Sequence, residues 1–429
     1  MTVVGAAAVD AATGGVLHVG ARDVVTPLAR ERARELGVEI VVGSPVRATP
    51  PPPAPTPQPA APTPAPPRAL APPAPEPPAA PDAAVITAEL FRKLGPPAPP
   101  MSPPSGALFR RNARLSTPAP AGTGRVVVVG AGQVGTIAAL RLADADVFDE
   151  VVLVDVDQGR AAGVALDLTH TAALSGFGTR VRGVGSVEEA GPADYVIITA
   201  GRPRQPGMSR SDLISTNAAV VGDIAKRVAA TAPDAVIVVV TNPLDEMTQH
   251  AWRVSGFPAH RVLGMAGVLD TARFQALAGA AVGMRADRVS AWALGSHGDE
   301  MVIPLSQARA AGTELAGPAV EAAVDRARNS GAEVVGLLRT GSAFLAPGTS
   351  AARMVLAMAA DRGEVMPAAV LADGTYGIRD VYVGLPARLG RTGVREIVEL
   401  DLSPAELAAL REAAERIRIR VADLEAVPA

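Results

Sequence analysis

Apolar runs alternating with longer helical stretches begin abruptly near Arg125 and continue to the end of the chain. Val126–Val129, Val151–Val154, Tyr195–Thr199 and Ala235–Val240 are unbroken, Val/Ile-rich runs. Such runs are expected of parallel strands covered on both faces. Helical stretches separate them, Thr136–Ala143 among them, so the pattern predicts an α/β fold with a doubly wound parallel sheet of Rossmann type. After about Gly267 the order changes to a long helix, mixed strands and a terminal helix over Pro404–Leu424. That change predicts a second, α+β domain, with boundaries at 124–267 and 268–429.

The chain ahead of Gly124 is built differently. Residues 49–123 hold 25 of the 40 prolines, in Pro/Ala/Thr runs such as Pro50-Pro51-Pro52-Pro53. This composition gives an extended, disordered arm that cannot bury a core. Within it Ile86, Leu90, Phe91 and Leu94 fall at helical spacing, predicting a short amphipathic helix over 82–95. Residues 1–48 read as a small ordered unit. Val16–Val19 suggests a strand, Thr26 and Pro27 an N-cap and N1 pair, Gly37 a helix stop after Leu36, and Val38–Val42 a second strand.

Composition removes several classes of function. A net charge of −3 and a pI near 6.0 give no footprint for nucleic acid or an anionic membrane surface. The absence of cysteine excludes disulfides, thiolate metal sites and cysteine nucleophiles, and no metal site is expected. No uncharged apolar run reaches the roughly 18–20 residues that span a bilayer. Met1–Ala12 lacks a basic start and carries Asp10, unlike a secretory signal. A soluble, cytoplasmic protein is expected. Only Lys93 and Lys226 are lysine, so arginine is simply abundant here and its placement matters more than its count.

Two placements stand out. The strand Val126–Val129 runs into Gly130-Ala131-Gly132-Gln133-Val134-Gly135 and then a helix. Gly130 suits the tight turn, Gly132 the close approach of a pyrophosphate, and Gly135 the contact of helix with strand. Phosphates would rest on the helix N-terminus. Asp155, twenty residues after Gly135, ends the second strand, where a carboxylate accepts from ribose hydroxyls and repels a 2′-phosphate. The combination points to NAD over NADP. The second placement is Gly201-Arg202-Pro203-Arg204-Gln205-Pro206-Gly207-Met208-Ser209-Arg210, a glycine-hinged loop after a strand. Guanidinium forks match carboxylates, so Arg204 and Arg210 suit a lid over a small anion.

Three further segments carry polar chemistry. Asn242, in Thr241-Asn242-Pro243, closes a strand at the sheet's carboxyl edge. Asp270 and Arg273 lie i, i+3 on one helix face, where they could be a plain ion pair worth about 0.3–0.5 kcal/mol. His297 sits between Gly295 and Gly298. Its side chain could take up a hydroxyl proton, with a carboxylate fixing its tautomer. His18, His170, His250 and His260 lack such a setting.

From Gly124 to about Leu424, these motifs in this order resemble the lactate/malate dehydrogenase family, and most nearly the lactate-dehydrogenase-like malate dehydrogenases of bacteria. The resemblance implies NAD as cofactor and malate or oxaloacetate as substrate. It implies His297 as proton acceptor in malate oxidation, Asp270 as its partner, and Arg210 polarising the carbonyl as the lid closes. Arg273 would hold the C1 carboxylate and Asn242 the reacting oxygen. Asn217 and the backbone of Val240, Thr241 and Asn242 would contact the nicotinamide half. Arg204 occupies the place held by glutamine in lactate dehydrogenases and by arginine in malate dehydrogenases. Arg202 departs from the small residue expected there. A lactate or related 2-hydroxy acid dehydrogenase, or a scaffold carrying the N-terminal arm, are the other readings. Family members associate, so a homodimer or homotetramer is implied. Val16–Val42 is similar to short N-terminal segments of bacterial microcompartment enzymes, which implies a microcompartment or scaffold partner for the arm.

Overall fold

The computed structural model describes residues 124–202 and 210–425, and ahead of them positions 3–4, 9, 12, 15–20, 24–25, 33 and 36–42. The expected linker at 49–123, its helix at 82–95 and Arg204 lie outside the described residues. So does most of the helix expected before Gly37.

The chain divides into two compact units, residues 1–90 and 91–429. In the first, Val16–Val19 pairs in parallel with Glu39–Val42, and Val3–Val4 with Val24–Val25. Val9, Ala33 and Val38 are buried together, with Leu17, Leu36 and Ile40 packed against them.

The second unit is organised by one sheet. Its first half comprises β1 (Arg125–Val129), α1 (Gln133–Ala145), β2 (Glu150–Val154), α2 (Gln158–Ser175), β3 (Arg180–Val184) and β4 (Tyr195–Ile198). It continues through α3 (Arg210–Thr231), β5 (Val236–Val239), α4 (Leu244–Ser255) and β6 (Val262–Gly264). The strands lie in the order β3-β2-β1-β4-β5-β6, all parallel. Their side chains alternate strictly between two cores. Val126, Val128, Val151, Leu153, Ile197 and Val238 enter one, and Val127, Val129, Val152, Val154, Ile198 and Val239 the other. Both faces are apolar because helices cover both, which is why these strands read as unbroken runs. α1 seals the first face with Ala138, Ala139 and Leu142; α3 seals the second with Val221, Ala225 and Val228.

The second half follows with α5 (Gly267–Ala281), β7 (Leu294–Gly295), β8 (Met301–Val302), α6 (Pro318–Leu338) and α7 (Leu345–Ala360). It ends with β9 (Val365–Asp373), β10 (Arg379–Gly390), β11 (Gly393–Ile397) and α8 (Pro404–Glu425). The expected α+β region carries a small antiparallel sheet of Val289–Ser290, Arg309–Ala310 and Thr313–Glu314, and its longer strands extend the main sheet. β9 pairs antiparallel with β6 at Ala369 and Gly264, so the parallel sheet runs on through β9, β10, β7 and β8. Both halves therefore hold their loops on one rigid frame.

Two strands of the parallel half of this sheet escaped the sequence pattern. β3 reads Arg180-Val181-Arg182-Gly183-Val184, an edge strand whose alternation hides it from a search for apolar runs. Its Arg182 and Arg125 of β1 both bond Glu150 of β2, at 3.0 and 2.5 Å. β6 is only three residues long.

The order of β1 and β4 reverses the direction of winding, and α1 and α3 leave on opposite faces. A crevice opens beyond the carboxyl ends of these strands. At its floor Gly130 adopts φ +109°, and a Cβ on Gly135 would lie 1.8 Å from the Gly130 carbonyl oxygen. The turn and the closeness of α1 to β1 both require glycine there. No helix among the described residues is long and apolar enough to cross a membrane.

Candidate active site

The crevice begins at the glycine turn. Gly132 is the N-cap of α1 and contributes no side-chain cap, and a Cβ there would meet nothing within 4 Å. The helix start is open to an anion, which its N–H groups and dipole favour. Ala131, Gly132, Gln133, Thr136 and Ile137 line a cleft of about 440 Å³ with Arg160, Val164 and Phe344. Asp155 borders this turn, with Oδ2 accepting from the Ala131 N–H at 2.8 Å and Oδ1 from the Asp157 N–H at 3.0 Å. Two backbone donors fix the carboxylate beside the loop. These residues fit a dinucleotide.

The neighbouring strand ends are fastened by side chains. The Thr241 hydroxyl donates to the Ala200 carbonyl at 2.7 Å, and the Val240 N–H to the Ile198 carbonyl at 2.9 Å. Asn217, on α3, accepts from the Arg202 N–H at 2.7 Å and donates to the carbonyls of Arg202 and Asn242, at 3.1 and 2.7 Å. It is 2 % exposed. Its amide braces the root of the arginine loop against the Asn242 turn, a role the resemblance did not imply. The backbone of Arg210 begins α3.

The polar centre lies one strand further on. Asp270 and Arg273 occupy the first two turns of α5, with Arg273 Nη1 donating to Asp270 Oδ1 at 3.0 Å. Asp270 Oδ2 meets His297 Nδ1 at 2.8 Å. His297 stands in the loop between β7 and β8, and it shares a cavity of about 220 Å³ with Asn242, Leu213 and Ile214. A neutral imidazole that donates Nδ1–H to Asp270 presents Nε2 as an acceptor. Burial alone would lower the pKa of His297, but the charge and hydrogen bond of Asp270, with the charge of Asp245, outweigh it and hold the pKa above its ordinary value. The arrangement can accept a proton, stabilise the resulting imidazolium, and present a cation beside it.

His297, Asp270, Arg273 and Asn242 thus converge, from positions spread over some fifty residues of sequence. A second set went unnoticed in the sequence. The Asp245 carboxylate accepts from the backbone N–H of His297 at 2.9 Å and from the Ser296 hydroxyl at 3.3 Å. Burial, and then the charge of Glu246, push its pKa up to about 7. Arg420 of α8 reaches Glu246, Glu300 and Ser296. Asp245 and Glu246 lie in the first turn of α4, where two acids read equally as ordinary dipole compensation.

Residues 124–264 match the lactate/malate dehydrogenase NAD binding domain, and residues 267–427 the alpha/beta C-terminal domain of the same family. A malate dehydrogenase of Chloroherpeton thalassium is 43 % identical over 298 residues, covering 68 % of this chain and 96 % of the relative. The malate dehydrogenase structure from Salinibacter ruber superposes with a TM-score of 0.67 at 39 % identity, over 70 % of this chain and 97 % of that one. A lactate dehydrogenase of Cryptosporidium parvum, complexed with lactic acid and nicotinamide adenine dinucleotide, gives 0.68 at 34 %, over 71 % and 98 %. With both domain matches falling on the two halves of this sheet, the chain belongs to the lactate/malate dehydrogenase family.

Proposed function

We propose that this chain is an NAD-dependent malate dehydrogenase, interconverting (S)-malate and oxaloacetate. The observation that carries the reading is the His297–Asp270–Arg273 cluster, whose His297 lines a cavity with Asn242, beyond a dinucleotide-type glycine turn. Relatives of 40–43 % identity named malate dehydrogenase support the same choice.

NAD supplies the acceptor for the hydride when bound. The backbone of Gly130, Ala131, Gly132, Gln133, Val134 and Gly135 would hold its pyrophosphate, Asp155 its adenosine ribose, and the Val240, Thr241 and Asn242 turn its nicotinamide half. In malate oxidation His297 Nε2 takes the hydroxyl proton, and the imidazolium is stabilised by Asp270. Asn242 donates to the reacting oxygen. Arg273 spends one donor on Asp270 and offers the rest of its fork to the C1 carboxylate. Arg210 polarises the carbonyl in the reverse direction, and Arg204 pairs with the second carboxylate.

Substrate choice turns on Arg204. An unpaired carboxylate in a closed site costs about 3–5 kcal/mol, roughly a hundredfold to several thousandfold in rate. Steady-state NADH oxidation should favour oxaloacetate over pyruvate by that margin, and Arg204→Gln should erase most of it. Equal efficiency with both substrates in the wild type would sink the assignment.

Coenzyme choice turns on Asp155, whose fixed carboxylate opposes a 2′-phosphate. Strong preference for NADH is expected, relaxed in Asp155→Ser. Comparable kcat/KM with NADPH in the wild type would show that the carboxylate does not reach the ribose.

The pH dependence follows from His297. Malate oxidation needs the neutral imidazole, so kcat/KM should rise with pH through a midpoint above the ordinary histidine value of about 6.5. Oxaloacetate reduction needs the imidazolium and should fall through the same region. Asp270→Asn removes the stabilising charge and should move the midpoint down. His297→Asn should lose about a hundredfold to ten-thousandfold in kcat, more than Asp270→Asn, with NADH binding nearly intact. A midpoint unmoved in Asp270→Asn would remove Asp270 from this role.

Residues 1–123 are read as an appendage serving localisation or assembly, in the cytoplasm or a bacterial microcompartment. The segment beginning at 124 spans both family domains, and its relatives are covered over nearly their full length. Residues 124–429 alone should keep the kcat, KM and dimeric or tetrameric mass of the full chain. A large loss of kcat on truncation would bring the arm into catalysis.

A further inference from the structure

Three segments meet at one guanidinium. The first is the turn from β5 into α4, where Asn242 is followed by Asp245 and Glu246, both 2 % exposed. The second is the loop from Ser296 to Glu300, which carries His297. The third is α8, whose Arg420 side chain is 14 % exposed. Arg420 donates from Nε to Glu246, from Nη1 to Glu300 Oε2 at 2.8 Å, and from Nη2 to Ser296 Oγ at 2.9 Å. One turn earlier on α8, Arg416 reaches Glu300 Oε1 at 3.4 Å. The Ser296 hydroxyl and the His297 backbone N–H then converge on Asp245 Oδ2.

The consequence is a division of labour around His297. Asp270 holds the ring from α5. Arg420, through Ser296 and Asp245, holds the main chain from the opposite side, and through Glu246 it holds the turn that carries Asn242. His297 and Asn242 must both address one oxygen of the substrate, so their separation is a catalytic quantity. Arg420 bonds directly to residues one before and three after His297, and to a residue four after Asn242. Its planar fork fixes three directions at once, which the single ammonium of lysine does not.

We propose that Arg420 is a positioning residue of this active site, clamping the His297 loop to the Asn242 turn from the C-terminal helix. The proposal rests on the reading of His297 as acid–base group. It predicts that loosening the clamp lowers the rate of the chemical step far more than it weakens dinucleotide binding, because the glycine turn and its cleft, proposed to hold the pyrophosphate, share no residue with the clamp. Misplacing reacting groups by about 1 Å can cost about a hundredfold.

The experiment uses the full chain with four variants: Arg420→Lys, Arg420→Ala, Ser296→Ala and His297→Asn. Steady-state kcat and KM for oxaloacetate, the NADH dissociation constant from fluorescence, and Tm are measured for each. Arg420→Lys is expected to lose about ten- to a hundredfold in kcat, with KM and NADH affinity within about threefold of wild type. Added guanidinium chloride at millimolar concentration should restore part of the kcat of Arg420→Ala and none of His297→Asn. Ser296→Ala removes one arm without stranding a buried charge, and should show a smaller kcat loss at nearly unchanged Tm. It keeps the test decisive where Arg420→Ala fails to fold.

Wild-type kcat in both Arg420→Lys and Ser296→Ala, with His297→Asn inactive, would overturn the clamp alone. Parallel loss of kcat, NADH affinity and Tm in Arg420→Lys would also overturn it, because Arg420 would then be a general stability residue. His297→Asn retaining more than about a tenth of the wild-type kcat would overturn the acid–base reading and this proposal with it.

Discussion

A carboxylate withdrawn from water must be given cations or donors, and around His297 three carboxylates are withdrawn together. Asp270, Asp245 and Glu246 are all 1–2 % exposed. Each answers the requirement differently. Asp270 takes one cation by Arg273 and one imidazole, which fixes the ring and favours its protonated form. Glu246 takes Arg420. Asp245, beside Glu246 and with no guanidinium bonded to it among the described residues, has its pKa pushed up to about 7 by burial and then by the charge of Glu246, while accepting from Ser296 and the His297 backbone. The geometry of the site is largely the set of distances at which these charges balance.

The fold makes that balance possible by bringing strand ends and helix starts to one edge. Asn242 through Glu246 lie where β5 passes into α4, and Asp270 follows β6 at the start of α5. His297 follows β7. β5 and β6 are adjacent, β6 is joined to β10 through β9, and β7 pairs with β10 at Gly295 and Gly384. The register of a continuous sheet therefore sets how far apart these loops stand. The first turns of α4 and α5 add their N-terminal dipoles, which favour acids at Asp245, Glu246 and Asp270.

Legibility in the sequence followed the range of the physics involved. The glycine turn could be read because its demands are local: a positive φ at Gly130 and a backbone contact at Gly135 belong to six consecutive residues. The buried strands could be read because both faces are apolar, and β3 was missed because Arg180 and Arg182 interrupt it, Arg182 serving Glu150 at the edge of the sheet. The second core strand of the N-terminal unit was found within one residue, Glu39–Val42 against an expected Val38–Val42. The partnership of His297 with Asp270, 27 residues apart, came from resemblance, since spacing cannot supply it. Arg420 lies 174 residues beyond Glu246, on a helix rich in arginine, and neither pattern nor motif singles it out.

Asn217, expected from the resemblance to contact the nicotinamide half, makes three hydrogen bonds within the protein. Where β4 and β5 end, the ladder stops, and backbone groups that the sheet would have paired need other partners. Thr241 takes the Ala200 carbonyl, and Asn217 takes both backbone groups of Arg202 and the Asn242 carbonyl. These bonds carry fixed backbone pairing three to four residues past the last strand pair, Ile198 and Val239, to Arg202 and Asn242. Asn217 thereby bears on the placing of Arg202 and Asn242, the two segments between which it stands.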